Sequence, residues 1–402
     1  MKLFGLLFWF CILFIGYVYV GYPLIVAFLA RLRRRKETYE DITPQVSILI
    51  AAYNEQDIIA AKLENTLALD YPHDCMQILV AVDGSDDRTA EIVESFAERG
   101  VELSYDVRRR GKMVAINRAV PRLKHEIVVF SDANNMYAPD ALRELVKPFA
   151  NPKVGAVTGS KNIADDTDAH AKADGLYWKY ESFIKKNETR LGSCTGVAGE
   201  ILAVRRSLYQ APPAHVINDD FFIGMGVLRQ GYRLVYAPTA HSVERSSLTE
   251  KDEAMRRSRI VAGRYQAMLM AGSLLPWRSP LLVWQIVSHK FMRPLVPLVM
   301  ILAFLVTLAA CVWPVPAADA GGLGWLYLAT PYNFVYLAGQ LFLALLALFG
   351  SSLKEWGLLG KLLYIPTFLV NSNMAAISGL YSFFTGRQTA LWKRARRRGE
   401  SI

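Results

Sequence analysis

The sequence predicts an α/β domain with a mainly parallel sheet, flanked by transmembrane helices. Strand-like and helix-like runs alternate between about residues 43 and 275, and several strand-like runs end in carboxylates. Long uncharged apolar runs lie on both sides of this region in the 402-residue chain. Such alternation is typical of parallel sheets with right-handed crossovers, whose ligands bind at the carboxyl ends of the strands.

The first 43 residues predict a membrane anchor. Residues 3–30 carry no charge, and this length exceeds the roughly 20 residues that cross a bilayer, so a transmembrane helix is expected over residues 1–30. The basic linker at 31–43 is then expected on the cytoplasmic side. A cleaved signal peptide is the alternative, but the run is long for one and lacks a clear small-residue cleavage site.

A C-terminal transmembrane region is expected over residues 294–384. Residues 294–313 and 332–349 are charge-free and long enough to cross a bilayer. Residues 362–384 contain the polar triplet Asn371–Asn373, which favours a re-entrant or interfacial segment, with a further crossing as the alternative.

Two basic segments border this region. Residues 276–293 are expected to form an amphipathic helix at the membrane surface, and residues 385–402 a basic cytosolic tail. The basic side chains of the first segment are Arg278, His289, Lys290 and Arg293.

The composition favours a membrane protein over a nucleic-acid-binding one. Hydrophobic residues make up 52% of the chain, and the formal net charge is +10. Many basic residues stand beside the predicted membrane segments, where membrane lipids with anionic headgroups are the expected partners. The sequence contains no aromatic-basic platform and no zinc-ligand spacing, so no nucleic acid partner is expected. The four scattered cysteines indicate neither a disulfide framework nor a metal site.

The predicted cytosolic domain spans residues 44–275. The continuous β-branched and apolar run Val46–Ala52 is typical of a strand buried on both faces. The spacing of the apolar residues after it predicts a helix over 55–69. The alternation then continues through strand Gln77–Val82, helix Asp87–Arg99 with Ser85 or Asp86 as its cap, strand Ile127–Ser131 and helix Pro139–Phe149.

Five segments, in this order and at this spacing, resemble the motifs of the family 2 glycosyltransferases. These are membrane-anchored inverting enzymes that use nucleotide-sugar donors. The resemblance runs from about residue 43 to about residue 275, with a weaker echo beyond. It implies the GT-A fold, a nucleotide-sugar-binding α/β layer, with the catalytic domain in the cytosol at a bacterial inner membrane. The segments are Val46–Glu55, Ile78–Asp87, Val128–Asn134, Asn218–Asp220 and Arg256–Ile260.

The first two segments and a lysine after them imply a donor site. Asp83 follows a strand, and in the family the matching acid binds the uridine, helped by positions such as Ala51, Tyr53 and Glu55. A turn or helix-cap aspartate is the alternative for Asp83. Lys112 follows a glycine, as in a family segment near the donor, and an ammonium suits a diphosphate.

The third segment implies a divalent metal. Asp132-Ala133-Asn134 stands in the place of the family's Asp-x-Asp motif, where Mg²⁺ or Mn²⁺ neutralises the diphosphate leaving group. An asparagine carbonyl is an acceptable ligand, but Asn134 in place of the second acid removes one negative charge and should weaken the site.

The fourth segment implies a general base. Asn218-Asp219-Asp220 aligns with the family's Thr-Glu-Asp segment, with Asp220 at the position of the base that takes the proton of the acceptor hydroxyl. The alternative is an acidic start to the following helix, where carboxylates are favoured. One residue can have both roles.

The fifth segment departs from the family pattern. Arg256–Ile260 sits where processive members have Gln-x-x-Arg-Trp, and Arg259 matches the motif's arginine, which can hold a diphosphate. Ile260 replaces the tryptophan on which a growing sugar chain stacks. A basic helix at the membrane surface is the alternative for this stretch.

The resemblance therefore implies an inverting enzyme that moves a sugar from a nucleotide-diphosphate sugar, expected to be a UDP-sugar, to a glycan or lipid-linked acceptor in exopolysaccharide synthesis. Polymer synthesis and single transfer to a glycolipid are both open here. A further alternative is a catalytically degenerate nucleotide-sugar-binding subunit of an export complex. Asn134 and the altered arginine motif favour it, whereas Asp83, Asp132 and Asp220 oppose it.

Overall fold

The computed structural model of the protein describes residues 2–33, 37–163, 169–244, 250–316, 322–349 and 357–386. Three sets of residues from the sequence predictions lie outside these ranges. They are the basic residues Arg34, Arg35 and Lys36, the acidic residues Asp165, Asp166 and Asp168, expected in a solvated loop, and the basic tail from residue 387.

One mixed sheet of eight strands organises the domain, in the order β3-β2-β1-β4-β7-β6-β8-β5. The strands are β1 (Val46–Ala52), β2 (Met76–Asp83), β3 (Val101–Asp106), β4 (Ile127–Asp132), β5 (Asn135–Tyr137), β6 (Val154–Ile163), β7 (Leu202–Arg205) and β8 (Arg233–Glu244). Four of the seven strand pairings are parallel. The prediction of a mainly parallel sheet is confirmed for β3-β2-β1-β4, and the other half is mixed.

The parallel half brings the predicted donor residues to one edge. In the register of the sheet, Ala51 lies beside Ala81 of β2 and beside Asp132 of β4. Asp83 ends β2 two residues further on. Because all these strands run the same way, their carboxyl ends meet where ligands of α/β sheets bind.

Helices cover both faces of the sheet. Those of the domain are α3 (Ile59–Leu67), α4 (Thr89–Glu94), α5 (Lys112–Ala119), α6 (Ala141–Val146), α7 (Ala169–Leu191), α8 (Asp219–Arg229), α9 (Glu250–Leu269) and α10 (Ala271–Leu274). Alternate β1 residues enter different cores: Ile48 packs with Leu63 of α3, whereas Leu49 packs with Ile116 of α5. This explains why every residue of β1 is buried.

The predicted cap of the helix after β2 is wrong. Ser85 and Asp86 do not cap it, because both hydrogen-bond to the turn at Asn54. The side chain of Asp87 accepts the backbone N–H of Thr89 instead, at 2.9 Å. The helix is also shorter than predicted, ending at Glu94 before a 3₁₀ turn.

Helices on either side of the domain are apolar. They are α1 (Lys2–Gly16), α2 (Tyr22–Arg33), α11 (Pro280–Ile286), α12 (Val296–Val312), α13 (Gly324–Tyr327), α14 (Tyr332–Phe349) and α15 (Gly357–Phe384). Among the described residues, three helical stretches are long and apolar enough to cross a membrane: 2–33, 280–312 and 332–349.

The polar triplet near the C-terminus does not break its helix. Helix α15 is continuous through Asn371–Asn373, which contradicts the re-entrant form of the prediction, while an interfacial position stays a prediction. Asn373 is buried, and its side chain bonds the Tyr19 hydroxyl at 3.3 Å and the Leu369 carbonyl at 2.8 Å. A polar residue at this position is therefore satisfied by protein contacts.

The predicted amphipathic helix over 276–293 differs in extent and in its charges. Helix α11 begins at Pro280 and continues as a π-helical turn, Val287–Phe291. His289 and Lys290 are buried against α7, where His289 Nδ1 lies 2.8 Å from Glu188 and Lys290 Nζ 3.5 Å from Glu181. These charges pair within the protein, because buried ions require partners.

We expect Gly84→Ala to destabilise the turn after β2. Gly84 has φ +60°, and a Cβ there would lie 2.3 Å from Arg109 N, so backbone strain and a clash add to roughly 3 kcal/mol or more. Gly100→Ala is the matched control, because Gly100 has φ +85° with nothing within 4 Å, and about 1–2 kcal/mol is expected. Thermal unfolding of both variants checks this, and equal losses would contradict it.

Candidate active site

The loops after β1 and β2 are fastened to each other at the carboxyl edge of the sheet. Asn54, at φ 52°, donates its N–H to Ser85 Oγ at 3.0 Å and accepts the Asp86 N–H at 3.1 Å. Glu55 is buried, and its N–H donates to Thr89 Oγ1 at 2.8 Å. The two loops that contain the predicted donor residues are thus one hydrogen-bonded unit.

Asp83 holds the loop that precedes Lys112. One carboxylate oxygen accepts the Arg110 N–H at 2.8 Å and the other accepts the Gly111 N–H at 2.7 Å. Asp83 therefore has the turn role that the sequence analysis gave as its alternative. Binding of a nucleotide by Asp83 stays a prediction. The same loop covers Tyr53, because the Arg109 guanidinium lies 3.9 Å from the centre of its ring.

Lys112 joins a carboxylate at the end of a strand to a carboxylate at the start of a helix. Its Nζ lies 2.8 Å from Asp132 Oδ1, at the end of β4, and 3.2 Å from Asp219 Oδ2, at the start of α8. Burial by itself lowers the pKa of Lys112, but the two carboxylates outweigh it and hold the pKa above its ordinary value. The sequence placed Lys112 and Asp132 together, and Asp219 joins them as a partner it did not single out.

Asp220 is a carboxyl group poised near neutral pH. Burial, and next the negative charge of Asp219, raise the pKa of Asp220 to about 7. The N–H of Phe221 donates to its Oδ1 at 2.8 Å, so the expected acidic helix start is also present. A carboxyl group whose pKa lies near the working pH can exchange a proton with a ligand, as a general base requires.

A glycine turn packs directly against Asp220. A Cβ on Gly199 would lie 2.8 Å from Asp220 Cβ, so this turn touches the candidate base. Next to it, Glu200 lies 3.2 Å from Lys161 Nζ, which also pairs with Glu244. Burial favours neutral Glu200, but Lys161 and then Arg256 hold its pKa at about 2.

Helix α9 is fixed to the loop before α8. Asn218 Nδ2 donates to the Ile260 carbonyl at 2.9 Å, and the Ile217 N–H donates to Gln266 Oε1 at 2.9 Å. Arg256 pairs with Glu253 at 2.9 Å. The Nε of Arg259 is buried, with no hydrogen-bond partner among the described residues.

One cavity is lined by several of the predicted site residues. The predicted residues that line it are Ala51, Lys112, Asp132 and Asp220, together with Asp219 and Gly199. Tyr53, Glu55, Asp83, Asn134 and Arg259 are not among its lining residues. The candidate base Asp220 and the metal candidate Asp132 therefore meet, whereas Asn134 and the other donor candidates lie in the loops and helix around them.

The side chains of the Asp132–Asn134 turn suit a hard cation. A carboxylate and an amide oxygen are ligands that Mg²⁺ and Mn²⁺ accept. The described residues contain no group of three or more His, Cys, Asp or Glu side chains placed to hold a metal ion. In nucleotide sites one or two carboxylates suffice, since substrate phosphates and water supply the other ligands. The turn thus fits a metal that binds together with a diphosphate.

Sequence reasoning missed a lysine beneath this turn. Lys62 of α3 is fully buried, and its Nζ donates to the Asn135 carbonyl at 2.5 Å. Burial lowers the pKa of Lys62 to about 7, against the raising effect of Asp132. In the sequence Lys62 stands within a helical run, where a lysine is normally solvent-exposed, so no signal marked it.

The sequence model of the glycosyltransferase like family 2 matches residues 44–260, more than half of the chain. The chain belongs to this family. It is therefore a family 2 glycosyltransferase, and the prediction of family, enzyme class and fold is confirmed.

Curated relatives of this family 2 glycosyltransferase include polysaccharide synthases. It is 28% identical over 215 residues to the poly-β-1,6-N-acetyl-D-glucosamine synthase of Staphylococcus aureus strain MSSA476, covering 52% of each chain. With the Staphylococcus epidermidis enzyme of the same name it shares 28% over 201 residues, or 48% of each chain. The chain thus spans about half the length of the curated relatives it matches.

A solved structure resembles the glycosyltransferase along nearly its whole length. The mannosyltransferase PcManGT from Pyrobaculum calidifontis, solved in complex with GDP-Man and Mn²⁺, superposes with a TM-score of 0.65. The match covers 95% of this chain and 100% of that one, at 22% identity. At this identity the likeness shows the fold, including helices outside the α/β domain.

We expect the stability of Asp220→Asn relative to the wild type to be greater at pH 8 than at pH 5. An aspartate whose pKa is raised from 3.8 to about 7 on folding stabilises the fold at low pH, and this stability is lost as pH rises through about 7. Asparagine never ionises, so the variant avoids the loss, roughly 2 kcal/mol after allowance for partial exposure.

The measurement is thermal unfolding of wild type and variant from pH 5 to pH 8. Asp74→Asn, which removes an exposed carboxylate before β2, controls for the loss of one charge. A constant difference between Asp220→Asn and wild type over this range would show that Asp220 ionises as an ordinary carboxyl group.

Proposed function

We propose that this glycosyltransferase is an inverting membrane enzyme that transfers a sugar from a nucleotide-diphosphate sugar to a glycan or lipid-linked acceptor. The observation that carries the proposal is the convergence of Lys112, Asp132 and Asp220 on one cavity. An ammonium suited to a diphosphate and a carboxylate suited to a divalent metal thus lie beside a carboxyl group suited to take a proton.

In the proposed reaction Asp220 is the base. Its ionised carboxylate takes the proton of the acceptor hydroxyl while that oxygen attacks the anomeric carbon of the donor sugar. The bond from this carbon to the diphosphate oxygen breaks on the opposite face, and its electron pair leaves with the nucleoside diphosphate. One displacement inverts the anomeric configuration, so an α-linked donor gives a β-linked product.

The positive charges serve the leaving group. Lys112 is buried between two carboxylates, so its ammonium is fixed at the edge where the diphosphate is expected. Arg259 adds a guanidinium on α9, whose Nε has no partner in the described part of the chain. Mg²⁺ or Mn²⁺, held by Asp132 and Asn134, would neutralise charge on the diphosphate as it departs.

The donor is proposed to be a UDP-sugar, bound at the loops of Ala51, Tyr53, Glu55 and Asp83. For this, Arg109 must share the ring of Tyr53 with the base or leave it, since the guanidinium lies over that ring. The Arg110 and Gly111 amides occupy both oxygens of Asp83, so recognition of the uridine by Asp83 requires that this loop move.

The acceptor is proposed to be a growing polysaccharide at the membrane. Support comes from the three apolar helical stretches and from the polysaccharide synthases among the relatives. We further propose that the domain lies in the cytosol of a bacterium, at the inner membrane, with membrane lipids around the helices. Ile260 offers no aromatic face for sugar stacking, so single transfer to a lipid is the competing product.

We expect diphosphate release from one nucleotide sugar by the full chain in lipid nanodiscs with membrane-lipid extract. UDP- and GDP-sugars are compared with Mn²⁺ or with chelator. Asp220→Asn should lower turnover on the order of 10²–10⁴-fold, because it removes the base, and donor binding should persist. Wild-type turnover should rise with pH through about 7, since the base must be ionised.

The product and the control variant decide between the candidates. Long chains indicate a polysaccharide synthase, and a single added sugar on lipid indicates a glycolipid synthase. Asp74→Asn, which removes an exposed carboxylate before β2, should retain turnover because it lies outside the predicted site. Donor binding without release from any donor would instead support a degenerate subunit.

A further inference from the structure

A buried lysine supports the metal-binding turn from inside the domain. Lys62 is 0% exposed, and its Nζ donates to the Asn135 carbonyl at 2.5 Å and lies 4.1 Å from the centre of the Tyr137 ring. Among the described residues no carboxylate lies within ion-pairing distance of this ammonium. One carbonyl and one aromatic face are weak compensation for removing the charge from water.

Stability does not explain this lysine. Burial of a lysine amine without an ion-pair partner costs stability relative to an apolar side chain of the same size, whether the amine is charged or neutral. Methionine has a similar length and would fill the same space. Residues that cost stability in this way concentrate at functional sites, and the nearest part of the candidate site is the turn from Asp132 to Asn134.

Helix α3 holds the strand after that turn at two points. Lys62 fixes the carbonyl of Asn135, and Asn65, one turn later on α3, binds Tyr137 in both directions. Asn65 Nδ2 donates to the Tyr137 carbonyl at 2.9 Å, and the Tyr137 N–H donates to Asn65 Oδ1 at 2.8 Å. The Asp132–Asn134 turn is thereby held between the end of β4 and a strand whose position α3 sets.

The same strand contacts the glycine turn beside Asp220. The Tyr137 hydroxyl donates to the Glu200 carbonyl at 3.0 Å, and Gly199 before it packs on Asp220. Lys62 contacts the ring of Tyr137, and Tyr137 contacts the turn beside Asp220. These contacts connect the Asp132–Asn134 turn to the turn beside Asp220.

We propose that Lys62 is a positioning residue that sets the Asp132–Asn134 turn for binding of a divalent cation with a nucleoside diphosphate. This inference rests on the proposed function. Lys62 acts through the backbone of β5, because its side-chain nitrogen contacts Asn135 and Tyr137 and not the candidate metal ligands Asp132 and Asn134. Removal of a positive charge near Asp132 would by itself tighten cation binding, so weaker binding in a variant reports lost positioning.

The experiment compares Lys62→Met with wild type, both as the full chain in nanodiscs. Binding of UDP and of GDP is measured by calorimetry with and without Mn²⁺, and unfolding temperature is measured without ligand. We expect the Mn²⁺-dependent affinity to fall on the order of 10-fold or more, with an unchanged or higher unfolding temperature. Turnover need not be measured.

Thr66→Val is the matched control. Thr66 is buried on the same helix, and its hydroxyl donates only to the Lys62 carbonyl, at 2.8 Å, so nucleotide binding should be unchanged. Lys62→Gln is the second variant, because it keeps a donor in the side chain but not the charge, and an intermediate loss of affinity is expected.

Each outcome decides. Unchanged Mn²⁺-dependent affinity in Lys62→Met overturns the inference and leaves the proposed function standing. A large fall in unfolding temperature for both Lys62 variants makes the lysine a residue of folding and also overturns it. A wild type that binds neither nucleotide overturns the proposed function, and the inference with it.

Discussion

The ammonium of Lys112 is the constraint on which the candidate site depends. It lies between Asp132, at the end of the parallel half of the sheet, and Asp219, at the start of a helix attached to the mixed half. Without a cation there, the two carboxylates would repel each other. After burial, the negative charge of Asp219 is the next cause of the raised pKa of Asp220. One cation thus links the candidate metal ligand Asp132 to the helix that begins beside the candidate base Asp220.

The sequence predicts the parts whose chemistry is local. Val46–Ala52 is apolar at every position except Ser47, so the sequence indicates that both faces are buried. The acids that end β2 and β4 mark the carboxyl edge of the sheet. Strands β5 and β7 have three and four residues, too few for a period to emerge. Helix α3 begins late, because the turn at Asn54 uses the residues before Ile59. Lys62 and Asp219 gain their partners only through the fold, across the sheet.

The junction between the domain and the apolar helices is polar and buried. Glu188 accepts the Thr195 N–H at 2.8 Å, pairs with His289 and accepts the hydroxyl of Tyr22, which comes from the N-terminal helix. Residues far apart in the chain thus share one carboxylate. The sequence analysis assigned the basic residues beside the apolar segments to lipid headgroups, but some of them pair with buried acids instead. A hydropathy pattern does not reveal an acid that another helix supplies.

Helices α9 and α15 approach each other through small residues. A Cβ on Gly379 would lie 2.7 Å from the Ser258 carbonyl and 2.8 Å from Val261 Cβ, and the hydroxyls of Ser258 and Ser378 are 3.2 Å apart. Arg259 and Ile260 follow Ser258 directly. The C-terminal block of apolar helices is therefore not an interchangeable module. A chimera that takes this block from a relative must import the matching surface of α9 as well, or the two helices will be forced apart at the arginine motif.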